Sequence, residues 1–140
     1  MRPILILLTL LLALPQPLPA GAQTQRQYDS QGRATGRAET RGDTTRYYDS
    51  QGRSLGRSES RGGVTRHYDA QGRATGRSED RGNTQRHYDS QGRSTGRSEY
   101  RDTTRRDYDA SGRSQGRAEN RGDTTRFYDS QGRATGRVQK

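Results

Sequence analysis

Arginine and tyrosine are the side chains here with chemistry to offer, and they recur at a fixed distance. Arg46 and Tyr48, Arg66 and Tyr68, Arg86 and Tyr88, and Arg126 and Tyr128 each stand two residues apart, with Asp directly after the Tyr. On an extended strand, residues two apart share one face, so each pair sets a cation beside an aromatic ring. Guanidinium forms forked hydrogen bonds to phosphate, sulfate and carboxylate, and it stacks on rings. These eight residues are therefore the candidate site for a polyanion: acidic polysaccharide, lipopolysaccharide or nucleic acid. After Ala22 there are 24 Arg and one Lys against 16 acids. The competing reading is a self-paired charge ladder that keeps a Gly-rich sheet soluble, since Asp and Glu recur in every full unit.

Other chemistry is thinly represented. His67 and His87 occupy one repeat slot with Tyr47, Asp107 and Phe127, and without a fixed carboxylate partner they make a poor metal site. The Asp-x-x-Gly motif lacks the alternating oxygen ligands of a calcium loop. Arg41-Gly42-Asp43 and Arg121-Gly122-Asp123 spell an adhesion tripeptide, but the same slot elsewhere reads Arg-Gly-Gly, Arg-Gly-Asn and Arg-Asp-Thr, as repeat drift would leave it. The chain has no Cys, no phosphate loop and no Ser-His-Asp pattern, and its carboxylates read as turn formers. No catalytic residue, metal or cofactor is expected, and the protein is read as non-enzymatic.

These side chains are carried by a 20-residue repeat that begins at Tyr28, Tyr48, Tyr68, Tyr88, Tyr108 and Tyr128. A weaker period of 10 lies inside it, with Asp49-Ser50-Gln51-Gly52 echoed by Glu59-Ser60-Arg61-Gly62. An acid at the first place of a turn and Gly at the fourth suit a three-residue hairpin loop closing on a left-handed Gly. Between such turns, stretches such as Val64-Thr65-Arg66-His67-Tyr68 favour strand. The expected register pairs Asp49 with Arg53 and Tyr48 with Ser54, and sets Gly56 opposite both Arg46 and Arg66. The predicted fold is all-β: a repetitive antiparallel hairpin meander, a single-layer or spiral sheet with a 20-residue period.

Composition sets the alternative. Only Leu55, Val64 and Val138 are large aliphatic residues beyond Ala22, so a cored globule is excluded. Low hydrophobicity with abundant Gly, Ser, Gln and Arg also suits a largely disordered mature chain. The start of the chain is different: Arg2, an apolar run from Ile4 to Leu14, prolines at 15, 17 and 19, then Ala20-Gly21-Ala22. That order predicts a signal peptide over residues 1–22, cut after Ala22, with six repeats over 23–140, the last one truncated. The apolar run is too short for a span, so no membrane segment is expected after cleavage. Secretion or a periplasmic location follows, and it argues against intracellular nucleic acid as the partner.

The unit Thr45-Arg46-Tyr47-Tyr48-Asp49-Ser50-Gln51-Gly52-Arg53 resembles the YD repeat, also called the RHS repeat. The resemblance covers six units in register, from Tyr28 to the C-terminus. It implies β-hairpins in a secreted or surface protein, with links to carbohydrate binding. The apolar residue that the family places after Gly-Arg is here Ala34, Ser54, Ala74, Ser94, Ser114 and Ala134, and there is no cargo domain, so toxin delivery is not implied. The sequence thus points to a cell-envelope binding or scaffolding module for polyanionic glycans or another envelope protein. A structural spacer without a ligand is the alternative.

Overall fold

A computed structural model describes residues 22–140, and apart from Ala22 the expected signal peptide lies outside them. Twelve strands follow one another: β1 (Gln23–Asp29), β2 (Ala34–Arg41), β3 (Thr44–Asp49), β4 (Ser54–Arg61), β5 (Val64–Asp69) and β6 (Ala74–Arg81). The second half repeats the first as β7 (Thr84–Asp89), β8 (Ser94–Arg101), β9 (Thr104–Asp109), β10 (Ser114–Arg121), β11 (Thr124–Asp129) and β12 (Ala134–Gln139). Each strand pairs antiparallel with its neighbour in sequence, and β1 pairs with β12 to close a barrel. The repetitive antiparallel meander is as expected, and its single layer closes on itself to give a wall with an inside. Closure removes the unpaired edges that would leave such a sheet prone to association.

Two kinds of turn alternate. At one end the Asp-x-x-Gly turns hold as predicted: Asp49 N–H donates to the Arg53 carbonyl at 3.0 Å, and Gly52 N–H donates to the Asp49 carbonyl at 3.1 Å. Gly52 takes φ +81°, which only Gly adopts cheaply. The other turns are tighter than the half-period suggests. Arg61 faces Val64 across just Gly62 and Gly63, so Glu59 pairs with Arg66 rather than closing a three-residue loop.

A bulge corrects the expected register as well. Tyr48 does face Ser54, but Tyr47 faces Gly56 and Arg46 faces Arg57, so Leu55 has no opposite number. On its other side Gly56 faces Asp69, not Arg66. The same shift recurs between each long hairpin's strands, leaving Thr35, Thr75, Thr95, Gln115 and Thr135 as the extra residues. An extra residue bends its strand and increases the twist, and six in phase curl the sheet until its edges meet. The pairing sets the tilt. Arg26 faces Arg37 and Arg37 faces Tyr48, two residues past the equivalent of Arg26. Six such units advance the stagger by about twelve residues, equal to the strand number, which gives a tilt of roughly 36°. At ~4.8 Å per strand the wall is then about 22 Å across.

Alternation sorts the side chains into two faces. Buried inside are Ala38, Tyr47, Ala118, Phe127 and Val138, but also Gln27, Ser58, Thr65, Ser78, Gln85, Ser98 and Arg105, one residue from each strand. The lumen is therefore mostly polar, and among the described residues only Ala118, Phe127 and Val138 form a buried apolar cluster. Among the described residues no helix is long and apolar enough to cross a membrane.

Candidate functional site: an arginine belt around a polar arc

The outer face carries one arginine per strand at mid-height. The partners Arg26 and Arg37, Arg46 and Arg57, Arg66 and Arg77, Arg86 and Arg97, Arg106 and Arg117, and Arg126 and Arg137 form a belt of twelve. Like charges directly opposite repel, and the two members of each pair are handled differently.

One member is braced. Arg57 lies over the Tyr68 ring, 4.3 Å from its centroid, and its Nε donates to Glu59 at 2.9 Å. It thus reaches across β5, away from Arg46. The same stack recurs with Arg37 on Tyr48, Arg77 on Tyr88, Arg97 on Tyr108, Arg117 on Tyr128 and Arg137 on Tyr28, at 4.3 to 4.7 Å. The Arg77 guanidinium beside Glu79 holds that carboxyl below its ordinary 4.5.

The other member is uncommitted. Arg26, Arg46, Arg66, Arg86, Arg106 and Arg126 are exposed, and none makes an ion pair among the described residues. Successive members are two strands apart, roughly 10–12 Å along the belt. The predicted Arg46, Arg66, Arg86 and Arg126 are thus all placed on one outer ring, and Arg26 and Arg106 complete it. The predicted Tyr48, Tyr68, Tyr88 and Tyr128 share that face, but the cation on each ring is the neighbouring strand's arginine. Arg46 and Tyr48 thus share one face, but the ring is stacked by Arg37 while Arg46 is exposed.

A third class of arginine serves the turns. Asp49 Oδ1 accepts from the backbone N–H of Gln51 and of Arg53, both at 2.9 Å, while Oδ2 accepts from Arg53 Nε at 2.7 Å. The Arg53 guanidinium, with those N–H groups, pulls the Asp49 carboxyl below its ordinary 3.8. The other five turns repeat this arrangement. The turn acids are therefore engaged and do not neutralise the belt.

Inside, the slot that varies between repeats builds something the spacing did not announce. Tyr47 Oη meets Ser58 Oγ at 2.6 Å, and Ser58 Oγ meets His67 Nδ1 at 3.3 Å. His67 Nε2 meets Ser78 Oγ at 3.0 Å, which meets His87 Nδ1 at 2.9 Å. His87 Nε2 meets Ser98 Oγ at 2.9 Å, and Ser98 donates to Asp107 Oδ1 at 2.6 Å. Arg105 closes the arc on Asp107 Oδ2 at 3.0 Å. Seven consecutive strands, β3 to β9, are joined this way, and the remaining wall carries Ala118, Phe127, Val138, Gln27 and Ala38 at the corresponding places. Burial pushes both imidazoles below the ordinary 6.5; His87 adds to the fall at His67. Burial also raises the Tyr47 and Tyr100 phenols.

The arc was missed because its serines and histidines come from different repeats and meet only through the register. One signal existed: slot 27, 47, 67, 87, 107, 127 runs through Gln, Tyr, His, Asp and Phe, while the Arg before it and the Tyr after it never change from unit to unit. Among the described residues, no three His, Cys, Asp or Glu are placed to hold a metal ion. No family model matches the chain, and no curated protein matches it. These comparisons give the likeness to the YD repeat no support.

Proposed function

We propose that the barrel is a non-enzymatic binding module for acidic polysaccharide or lipopolysaccharide, held by the arginine belt. The observation that carries this reading is the ring of six exposed arginines without ion-pair partners among the described residues, set among six others that are each braced by a Tyr and, in five cases, by a Glu. Five glutamates, Glu39 to Glu119, are the acids engaged with the belt. Cation therefore exceeds anion on the outer wall, at the height where a lipid-facing barrel carries its apolar band. Each contact is weak, and repetition around the wall supplies avidity. The leader expected over residues 1–22 would deliver the protein to the envelope, where such glycans are the prevailing polyanions. The YD-like unit suits the same setting.

Titration with heparin, as a soluble acidic polysaccharide, tests the reading. Affinity should fall steeply as salt rises, because bound guanidiniums displace counterions. The triple change Arg46→Gln, Arg66→Gln, Arg86→Gln should weaken binding about tenfold or more and flatten the log–log salt slope by roughly two to three. A control of equal net charge, Arg41→Gln, Arg61→Gln, Arg101→Gln, should do far less. Equal losses in both triples would reduce the belt to mere net charge. Absence of binding at low salt would favour the second reading, an inert frame, which the self-paired Arg57–Glu59 and Arg53–Asp49 contacts support.

A further inference from the structure

The lumenal arc has a direction, and the donors fix it. An ionised Asp107 can only accept, and Ser98 donates to it. Having spent its one hydrogen, Ser98 must accept from His87, so His87 carries its proton on Nε2 and accepts at Nδ1. Ser78 then donates to His87 and must accept from His67, which places the His67 proton on Nε2 as well. Ser58 donates to His67 Nδ1, and Tyr47 donates to Ser58. Every hydrogen from the phenol to the carboxylate points the same way, with each serine and histidine between them donating once and accepting once.

We propose that this arc is an acid-sensitive latch on the barrel: it closes only while His67 and His87 are both neutral, and proton uptake by either parts the wall between β4 and β8. A cationic imidazole donates from both nitrogens. Protonated His87 would drive a second donor onto Ser78 Oγ, which already accepts from His67, and would leave the Ser78 hydrogen with no acceptor. Ser78 is 2% exposed, so water cannot readily serve it. Protonated His67 has the same effect on Ser58, which already accepts from Tyr47.

The charges around the pair do not absorb the added proton. His67, on β5, lies between Ser58 of β4 and Ser78 of β6, with Tyr47 beyond the first and His87 beyond the second. His87, on β7, is faced by Asp107 and Arg105 from β9 and Asp80 from β6. Tyr100 of β8 stands by, its hydroxyl 3.4 Å from Gln85. Asp107 is already matched by Arg105 at 3.0 Å, and Asp80 accepts from Gln85 Nε2 at 2.6 Å. The two carboxylates favour the cation, but burial outweighs them. Groups that resist protonation in the fold contribute stability that is complete above the ordinary 6.5 and is lost as pH falls from there towards their folded values. These are the only histidines of the chain, so they have that window to themselves among its side chains.

Thermal unfolding at pH 7.5 and 5.5 tests the latch, with His67→Tyr/His87→Phe as the comparison. Tyr and Phe already fill the same slot at Tyr47 and Phe127, so the variant keeps residues that the wall accepts. The wild-type midpoint should drop by about 5 °C or more on acidification, while the variant holds within about 1 °C. Amide hydrogen exchange in β5 and β7, corrected for its intrinsic pH dependence, should quicken in the wild type at pH 5.5. Equal wild-type midpoints at the two pH values would overturn the proposal, as would an equal drop in the variant. Should the variant fail to fold, imidazole nitrogen shifts of the wild-type protein decide alone. Both rings protonated at Nε2 at pH 7.5 supports the latch, and a proton on Nδ1 of either ring sinks it.

Discussion

At Gly56 the backbone runs at φ +140°, and a Cβ built there would collide with the carbonyl oxygen of Tyr68. Both facts follow from the bulge, which brings β4 close against β5 just where Leu55 swings outward to 43% exposure. Gly56→Ala should therefore cost on the order of 1–3 kcal/mol, read from urea unfolding, whereas Gly62→Ala meets no atom within 4 Å and pays mainly for its left-handed turn. Gly52 and Asp49 were legible in the sequence, because a turn is a local device whose acid and glycine stand three residues apart. The partners of His67 were not. Ser58 and Ser78 sit nine and eleven residues away on flanking strands, and only the bulged register turns all three inward. The arginine of each unit was read as sharing a strand face with its tyrosine, whereas the ring on that face belongs to another arginine's stack, as Tyr48 does to that of Arg37.

The hairpin is the scale at which the half-period misled. Asp49 and Glu59 look equivalent, each an acid three places before a glycine, yet Asp49 closes its turn while Glu59 stands outside as the partner of Arg57. The difference is loop length: three residues at one end and two at the other. A two-residue loop demands a left-handed backbone at its first place, which Gly42, Gly62, Gly82 and Gly122 supply. The fifth such turn uses Asp102 at φ +52°, the single non-glycine in that region among the described residues. Asp102→Gly should consequently stabilise the barrel, by up to about 1 kcal/mol, visible as a higher urea midpoint with unchanged slope. A one-residue error in register reverses inside and outside along a whole strand. The expected facing of Arg46 with Gly56 is off by just that one residue: beyond the bulge Arg46 faces Arg57 and Gly56 faces Tyr47, so β4 presents the opposite set of side chains on each face.

For the whole molecule, closure was the least legible property, since β1 meets β12 only after twelve strands have each contributed a little tilt and twist. No segment of the chain encodes a circle; six repetitions of one bulge do. The division of labour that results is visible in the sequence once the faces are known: the outer Arg, Tyr and Glu recur, and the lumenal slot runs through Gln27, Tyr47, His67, His87, Asp107 and Phe127. Substitution at that slot should shift stability and pH response while leaving heparin affinity at neutral pH within about twofold, a separation that binding and melting curves on one variant can check. The two-residue advance per hairpin unit has a geometric corollary. Adding a unit raises the strand number and the stagger by the same amount, so the tilt stays near 36° while the diameter grows by about 4 Å. A chain with one more copy of residues 49–68 should accordingly remain a closed monomer of larger cross-section in solution scattering, and an associating open sheet would contradict it. The repeat is in that sense a gauge: unit count alone sets the calibre of the tube.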